Sequence, residues 1–150
     1  MGLLTKYIPT LTPEPVRQVG PVVHLANGLQ ATVATTTSQP QRVIIEAIGF
    51  RSFTDVLLAD DARSVAALLA KATVIPSEAG KSTVGSFECA VASPATETRT
   101  VIANHHRSRI RMTRLRFTPP SHFATFVYDL DDLQATRLRD ALLEAAEECC

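Results

Sequence analysis

Phe50-Arg51-Ser52-Phe53, Leu57, Asp60-Asp61 and Arg63-Ser64-Val65-Ala66-Ala67-Leu68-Leu69-Ala70-Lys71-Ala72 form a pattern that returns about 74 residues further along the chain. There it reads Phe123-Ala124-Thr125-Phe126, Leu130, Asp131-Asp132 and Arg137-Leu138-Arg139-Asp140-Ala141-Leu142-Leu143-Glu144-Ala145-Ala146. The two ends match at offsets of 73 and 74, a difference of one inserted residue, while the acidic pair between them stands 71 residues further on. Each copy predicts a strand, an acidic helix start and an Ala/Leu-rich helix, and a repeat of this kind can define an architecture. The expectation is one domain over residues 1–150, made of two related halves at about 1–75 and 76–150.

The helices are the clearest elements. In the first, Ala62, Val65, Ala66, Leu69 and Ala72 recur at helical spacing, Asp60 or Asp61 can cap the start, and Pro76 lies beyond the end. In the second, Ala135, Leu138, Leu142 and Ala145 make the apolar stripe, with Asp131 or Asp132 as cap. Acidic residues at both starts also suit the helix dipole.

Ahead of each helix lie about four strand-like pieces. In the first half they are residues 3–8, 21–26, 29–36 and 42–48, with 53–58 as a further candidate. Asn27-Gly28 is a two-residue hairpin signal, and Ser38-Gln39-Pro40-Gln41 reads as another turn. Residues 9–21, with four prolines, read as an extended arm or ordered loop. In the second half the strands are expected at 82–92, 97–104, 108–117 and 122–128, broken by Ser93-Pro94-Ala95 and Thr118-Pro119-Pro120-Ser121. Several strands before a helix, twice over, predict an α+β fold in which antiparallel sheets of two ββββα-like halves pack against two helices.

That element order resembles the whirly, coactivator-like and Pur-type single-stranded nucleic-acid-binding folds. The resemblance covers most of the chain and is one of topology. The whirly-family Lys-Gly-Lys-Ala-Ala-Leu motif does not occur here, so it implies a fold and a ligand class and no individual site residue.

Charge supplies the functional signal. The chain has 15 Lys and Arg against 15 Asp and Glu, a net charge of zero, yet the charges are segregated. Between Thr98 and Tyr128 stand six arginines and three histidines without an Asp or Glu, whereas Asp129 onward carries seven acids against Arg137 and Arg139. Within His105-His106-Arg107-Ser108-Arg109-Ile110-Arg111-Met112-Thr113-Arg114-Leu115-Arg116-Phe117 the arginines alternate with smaller or apolar residues. On a strand Arg107, Arg109 and Arg111 share one face, backed by Arg99, His105 and His106. Arg114 and Arg116 have the opposite parity, which requires either a bulge near Thr113 or a second surface. Planar, permanently charged guanidinium forks suit phosphate and carboxylate alike. Two readings follow. The first is noncatalytic binding of single-stranded nucleic acid, in which Phe117, Phe123, Phe126 and Tyr128 are the aromatics near enough to stack. The second is an interaction module (inhibitor, adaptor or assembly subunit) that presents the same face to an acidic protein. The arginines could instead pair internally with acids of the C-terminal helix.

Catalytic and metal chemistry find little support. Gly80-Lys81-Ser82-Thr83 ends like a phosphate-binding loop and Phe126-Val127-Tyr128-Asp129 resembles the acidic strand that accompanies it. The earlier glycine of that loop is replaced by Ile75, and a strand rather than a helix is expected after Lys81. Asp129, Asp131 and Asp132 lack the remaining ligands of a calcium loop, and His105, His106 and His122 have no partner at metal-ligand spacing. No cofactor is implied. Cys89, Cys149 and Cys150 give neither a metal pattern nor a disulfide framework, so a reducing, intracellular setting is expected. No stretch has the length of an apolar membrane span. Exposed sheet edges and an Ala-rich helix are surfaces that self-association buries, which places a homodimer among the expectations.

Overall fold

A computed structural model describes residues 16–26, 28–49, 53–74, 81–86, 93–103, 108–118 and 126–149. The chain order is β1 (Val16–His24), β2 (Gln30–Thr36), β3 (Val43–Ile48), β4 (Phe53–Leu57), α1 (Ala59–Val74), β5 (Lys81–Ser86), β6 (Ser93–Ala103), β7 (Ser108–Thr118), β8 (Phe126–Asp131) and α2 (Asp132–Glu148). The strands form two four-stranded antiparallel meanders, β1-β2-β3-β4 and β5-β6-β7-β8, each followed by a helix. The fold is α+β, as the sequence predicts.

The first strand begins earlier in the described chain than expected. Residues 16–21 belong to β1 rather than to an arm: Arg17 pairs with Thr35, Gln18 with Ala34, and Val19 is buried opposite Val33. Pro21 is tolerated because β1 is a sheet edge and its pairing with β2 shifts between Val19 and Val23. The strand expected at residues 3–8 lies outside the described residues. Residues 25–29 join β1 to β2, and the hydrogen bond between Leu25 and Leu29 encloses three residues instead of the two of a tight hairpin turn. Gly28 N–H donates to Leu25 O, Leu25 N–H donates to Leu29 O, and Gly28 has φ +87°, the left-handed position of a longer hairpin loop. The turn at residues 38–41 forms as expected, closed by Thr36 N–H to Arg42 O at 3.0 Å and Arg42 N–H to Thr36 Oγ1 at 2.8 Å. Pro94 does not break the second sheet. It lies just inside β6, opposite Phe117 and beyond the last β5 pair at Ala95, where no described neighbour on that side needs its missing N–H.

Both apolar helix stripes are observed. Ala62, Val65, Ala66, Leu69 and Ala72 are the buried residues of α1; in α2 Gln134, Ala141 and Ala146 join the expected four. Asp131 is the N-cap of α2, its Oδ1 accepting from Gln134 N–H at 2.8 Å. The expected cap of α1 is not: the helix already starts at Ala59, so Asp60 and Asp61 stand in its first turn, where they still complement the dipole.

The helices are exchanged between the sheets. α1 follows the first sheet but packs chiefly on β5, β6 and β7, and α2 follows the second sheet but packs chiefly on β1 and β2. The two helices also pack on each other. A single hydrophobic cluster therefore draws on both halves, from Val19, Val33 and Ile45 through Leu69 and Leu138 to Leu115 and Tyr128. Two glycines admit these crossed helices. Gly20, at φ +74°, lies where an added Cβ would come within 3.0 Å of Ala141 Cβ on α2. Gly85 lies where a Cβ would come within 2.8 Å of Leu68 Cδ2 on α1. Both stand at the register shift of the first strand of a sheet.

Candidate nucleic-acid interface

β6 and β7 are the longest strands, and they pair without a shift from Ser93↔Thr118 to Ala103↔Ser108. Their outer neighbours are shorter. The β5 ladder begins at Lys81↔Arg99, and the β8 ladder reaches only Met112↔Asp131. Beyond those pairs Thr100–Ala103 and Ser108–Arg111 bond to each other and, among the described residues, to no third strand. Four residues at about 3.4 Å each make a two-stranded extension roughly 14 Å long. Arg109 stands opposite Ile102 and Arg111 opposite Thr100 in it. His105, His106 and Arg107, between the two strands, lie outside the described residues.

The unbroken ladder removes the bulge considered at Thr113. Thr113, Leu115 and Phe117 are buried on the side of the helices, whereas Met112, Arg114 and Arg116 alternate with them at partial exposure. Positions 109 and 111 keep the parity of Thr113, so the arginines of β7 are divided between the two faces of the sheet. Arg99, paired with Met112, takes the parity of Arg114 and Arg116.

Arg114 is already engaged. Its Nε donates to Asp129 Oδ1 at 2.8 Å and its Nη2 to Asp129 Oδ2 at 3.0 Å, a two-pronged pair whose side chains are 24% and 21% exposed. Asp129 is the cross-strand neighbour of Arg114 on β8, and Glu97 is its neighbour on β6. The acid that holds an arginine of this strand is thus on the adjacent strand, not on the C-terminal helix. Two acids of that helix have other partners: Glu148 pairs with Arg17 and Asp140 with Arg139.

The expected stacking aromatics divide as well. Phe117 and Tyr128 are fully buried and meet edge to face, ring centroids 5.7 Å apart, so neither offers a platform. Phe123 and the Phe126 side chain lie outside what is described. A feature the sequence reading missed lies beside Tyr128: its hydroxyl donates to Asp55 Oδ2 at 2.6 Å inside the core. Burial pushes the Asp55 carboxyl up to about 6, partly offset by that hydrogen bond. Burial, and then the Asp55 charge, raise the Tyr128 phenol well above its ordinary value. Asp55 occupies the inward row Val19, Val33, Ile45, where strand alternation predicts an apolar residue. That polar residue at an apolar position was the available signal.

Lys81 opens β5, so the loop that ends like a phosphate-binding loop leads into a strand and not a helix. Asp129 and Asp131 are used by Arg114 and by the α2 N-terminus. Among the described residues no three His, Cys, Asp or Glu side chains are grouped to hold a metal ion, and no helix is long and apolar enough to cross a membrane.

Neither the protein-family models nor the curated proteins compared with this chain match it.

Proposed function

We propose that the protein binds single-stranded nucleic acid, without catalysis, through the two-stranded extension of β6 and β7. The observation that carries this reading is the coincidence of that extension with the acid-free arginine run: Arg109 and Arg111 are alternate positions of β7 beyond its described pairs with β8, and Arg107 precedes them in sequence. A narrow antiparallel ribbon gives a flexible phosphodiester backbone a cationic rail without a facing sheet. With Phe117 and Tyr128 buried, affinity comes mainly from phosphates, so binding has little sequence preference and falls steeply with salt.

The test is fluorescence anisotropy with labelled single-stranded DNA, single-stranded RNA and duplex DNA at two salt concentrations. Single strands bind at micromolar or tighter affinity, more weakly at the higher salt, and the Arg109→Ala/Arg111→Ala variant loses that binding. Absence of binding to every nucleic acid at low salt overturns the reading. A protein partner then becomes the favoured ligand, because the Arg114–Asp129 fork is a carboxylate complex of an arginine on this strand.

A further inference from the structure

We propose that residues 3–8 of the chain dock as an extended segment in the groove on the outer face of the first sheet, with Lys6 paired to Glu46. This docking surface lies away from the arginine run and is independent of the nucleic-acid reading.

The helices cover one side of β1–β4, where Val19, Val33 and Ile45 are buried. Strand alternation turns the intervening residues to the other side. There Gln18, Ala34, Ile44 and Val56 make one row across the sheet, and Thr32, Glu46 and Thr54 make the next. A groove of about 410 Å³ runs over these rows, with Val16, Ala34, Ile44 and Thr54 in its wall. Val16 and Ile48, at opposite ends of the face, are 53% and 50% exposed. Glu46 is the only Asp, Glu, Lys or Arg among the described strand positions of this face. It is exposed and makes no ion pair among the described residues. One carboxylate without a Lys or Arg beside it offers nothing to a phosphate. Its complement is a single cation between apolar groups.

The N-terminal segment has that pattern. Along the outer side of β3 the residues read Ile44, Glu46, Ile48. In Leu3-Leu4-Thr5-Lys6-Tyr7-Ile8 the positions that share one face of an extended chain are Leu4, Lys6 and Ile8. Both rows are aliphatic, charged, aliphatic, and their charges are opposite. An exposed ion pair adds little to stability by itself. Its use here is to fix register, while the aliphatic pairs supply the burial.

The tether is long enough. Val16 pairs with Thr36 and Glu46 with Thr32, so Glu46 lies four residues along β2 and one strand further in. At about 3.4 Å per residue and 4.8 Å per strand the two are roughly 17 Å apart. The chain from Lys6 to Val16 spans up to about 31 Å even in the polyproline conformation, which leaves length for it to turn back over the end of the sheet. Pro9, Pro13 and Pro15 in that stretch reduce the conformational freedom lost on docking. Attachment at Val16, itself part of the groove wall, makes the contact intramolecular and its effective concentration high.

A second copy of the chain fits the face less well. Four strands about 4.8 Å apart and about six residues long outline roughly 400 Å². Two such faces together bury about 800 Å², short of the roughly 1,200 Å² at which stable interfaces begin. A two-fold contact would also bring Glu46, on an inner strand, towards its own symmetry mate.

The test is crosslinking of the full-length protein with a water-soluble carbodiimide, which condenses an amine with a carboxylate in direct contact, releasing water. Lys6 is one of three lysines, with Lys71 and Lys81, so the product is read by peptide mass spectrometry. Isotope-labelled and unlabelled chains are unfolded together in urea and refolded before the reaction. The expected product joins Lys6 to Glu46 within peptides that are wholly labelled or wholly unlabelled. The charge-exchanged Lys6→Glu/Glu46→Lys variant forms the reverse link. In parallel, Leu4→Ser/Ile8→Ser shifts the NMR amide resonances of Thr32, Ile44 and Glu46 and leaves those of Val65 and Leu138 in place. Peptides of mixed isotope composition put the segment of a second copy in the groove and overturn the intrachain contact. Absence of the Lys6–Glu46 link, or groove resonances that do not move in the Leu4→Ser/Ile8→Ser variant, overturns the docking itself.

Discussion

Tyr128 and Asp55 are joined at 2.6 Å through residues that occupy matching places in the two halves of the chain. In the β3–β4 hairpin Val43 pairs with Leu57, Ile45 with Asp55 and Ala47 with Phe53; in β7–β8 Thr113 pairs with Leu130, Leu115 with Tyr128 and Phe117 with Phe126. From Val43 to Thr113 and from Ile45 to Leu115 the step is 70 residues; from Asp55 to Tyr128 and from Leu57 to Leu130 it is 73. The two hairpins keep one register with three residues added between the strands of the second. This buried polar contact therefore ties corresponding positions together.

A buried carboxyl whose pKa rises from 3.8 to about 6 makes stability depend on pH in a fixed direction. The folded state holds the Asp55 proton more tightly than the unfolded chain. Its contribution is therefore most favourable below pH 3.8, declines as pH rises through the interval to about 6, and is constant above it. The shift corresponds to about 3 kcal/mol. Asp55→Asn keeps an oxygen to accept from Tyr128 and removes the charge. Urea denaturation of both proteins at pH 4 and pH 7.5 should show the variant gaining about that amount relative to wild type at the higher pH. A constant difference between the two pH values would contradict the burial of an ionisable Asp55. Tyr128→Phe should cost about 1–3 kcal/mol by depriving Asp55 of its donor, and should move the titration further upward.

Thr113 Oγ1 is buried without a hydrogen-bond partner, on the inward face of β7 between the helices and the cross-strand residue Leu130. Thr113→Val keeps the branched shape and removes the hydroxyl, so it should stabilise the fold by about 1 kcal/mol. The urea midpoint should rise at unchanged slope. A fall would mean that this hydroxyl is hydrogen-bonded.

The two glycines beneath the crossed helices should respond unequally. At Gly20 an added methyl meets Ala141 Cβ at 3.0 Å from a backbone already at φ +74°, so Gly20→Ala should cost about 1–3 kcal/mol. At Gly85 the methyl meets the end of the Leu68 side chain, which can turn away, and Gly85→Ala should cost less. Denaturant midpoints of the two variants measure the order directly.

Much of the fold was legible in the sequence, because periodicity reports which face of an element is apolar. The stripes of Ala62, Val65, Ala66 and Leu69 and of Ala135, Leu138 and Leu142 could be read directly. Periodicity does not report which sheet a stripe covers, so the exchange of α1 and α2 between the sheets could not be read. Local signals misled where tertiary context prevailed: Pro21 and Pro94 lie inside strands because an edge or a ladder end spares their missing N–H. At the candidate site the alternation of Arg107, Arg109 and Arg111 was visible. That positions 109 and 111 stand beyond β5 and β8 depends on four strand lengths, and that Arg114 is taken by Asp129 depends on the register of a hairpin whose turn is ambiguous from composition.

The exchange of helices also predicts how the chain can be cut. A fragment ending at residue 78 contains the first sheet but lacks α2, and a fragment from residue 79 contains the second sheet but lacks α1. Each should show poorly dispersed NMR amide spectra alone, and mixing them should restore the dispersion of the intact protein. A well-dispersed spectrum from either fragment alone would contradict the exchange.

During synthesis the same arrangement imposes a delay. The inward side of β1, β2 and β3, with Val19, Val33 and Ile45, is complete when β4 emerges from the ribosome, but the helix that packs over it spans residues 132–148. A nascent chain must therefore carry an open aliphatic sheet while roughly half of its sequence is still being translated. The interval in which it is exposed to aggregation, or to a chaperone, is set by the rate of elongation.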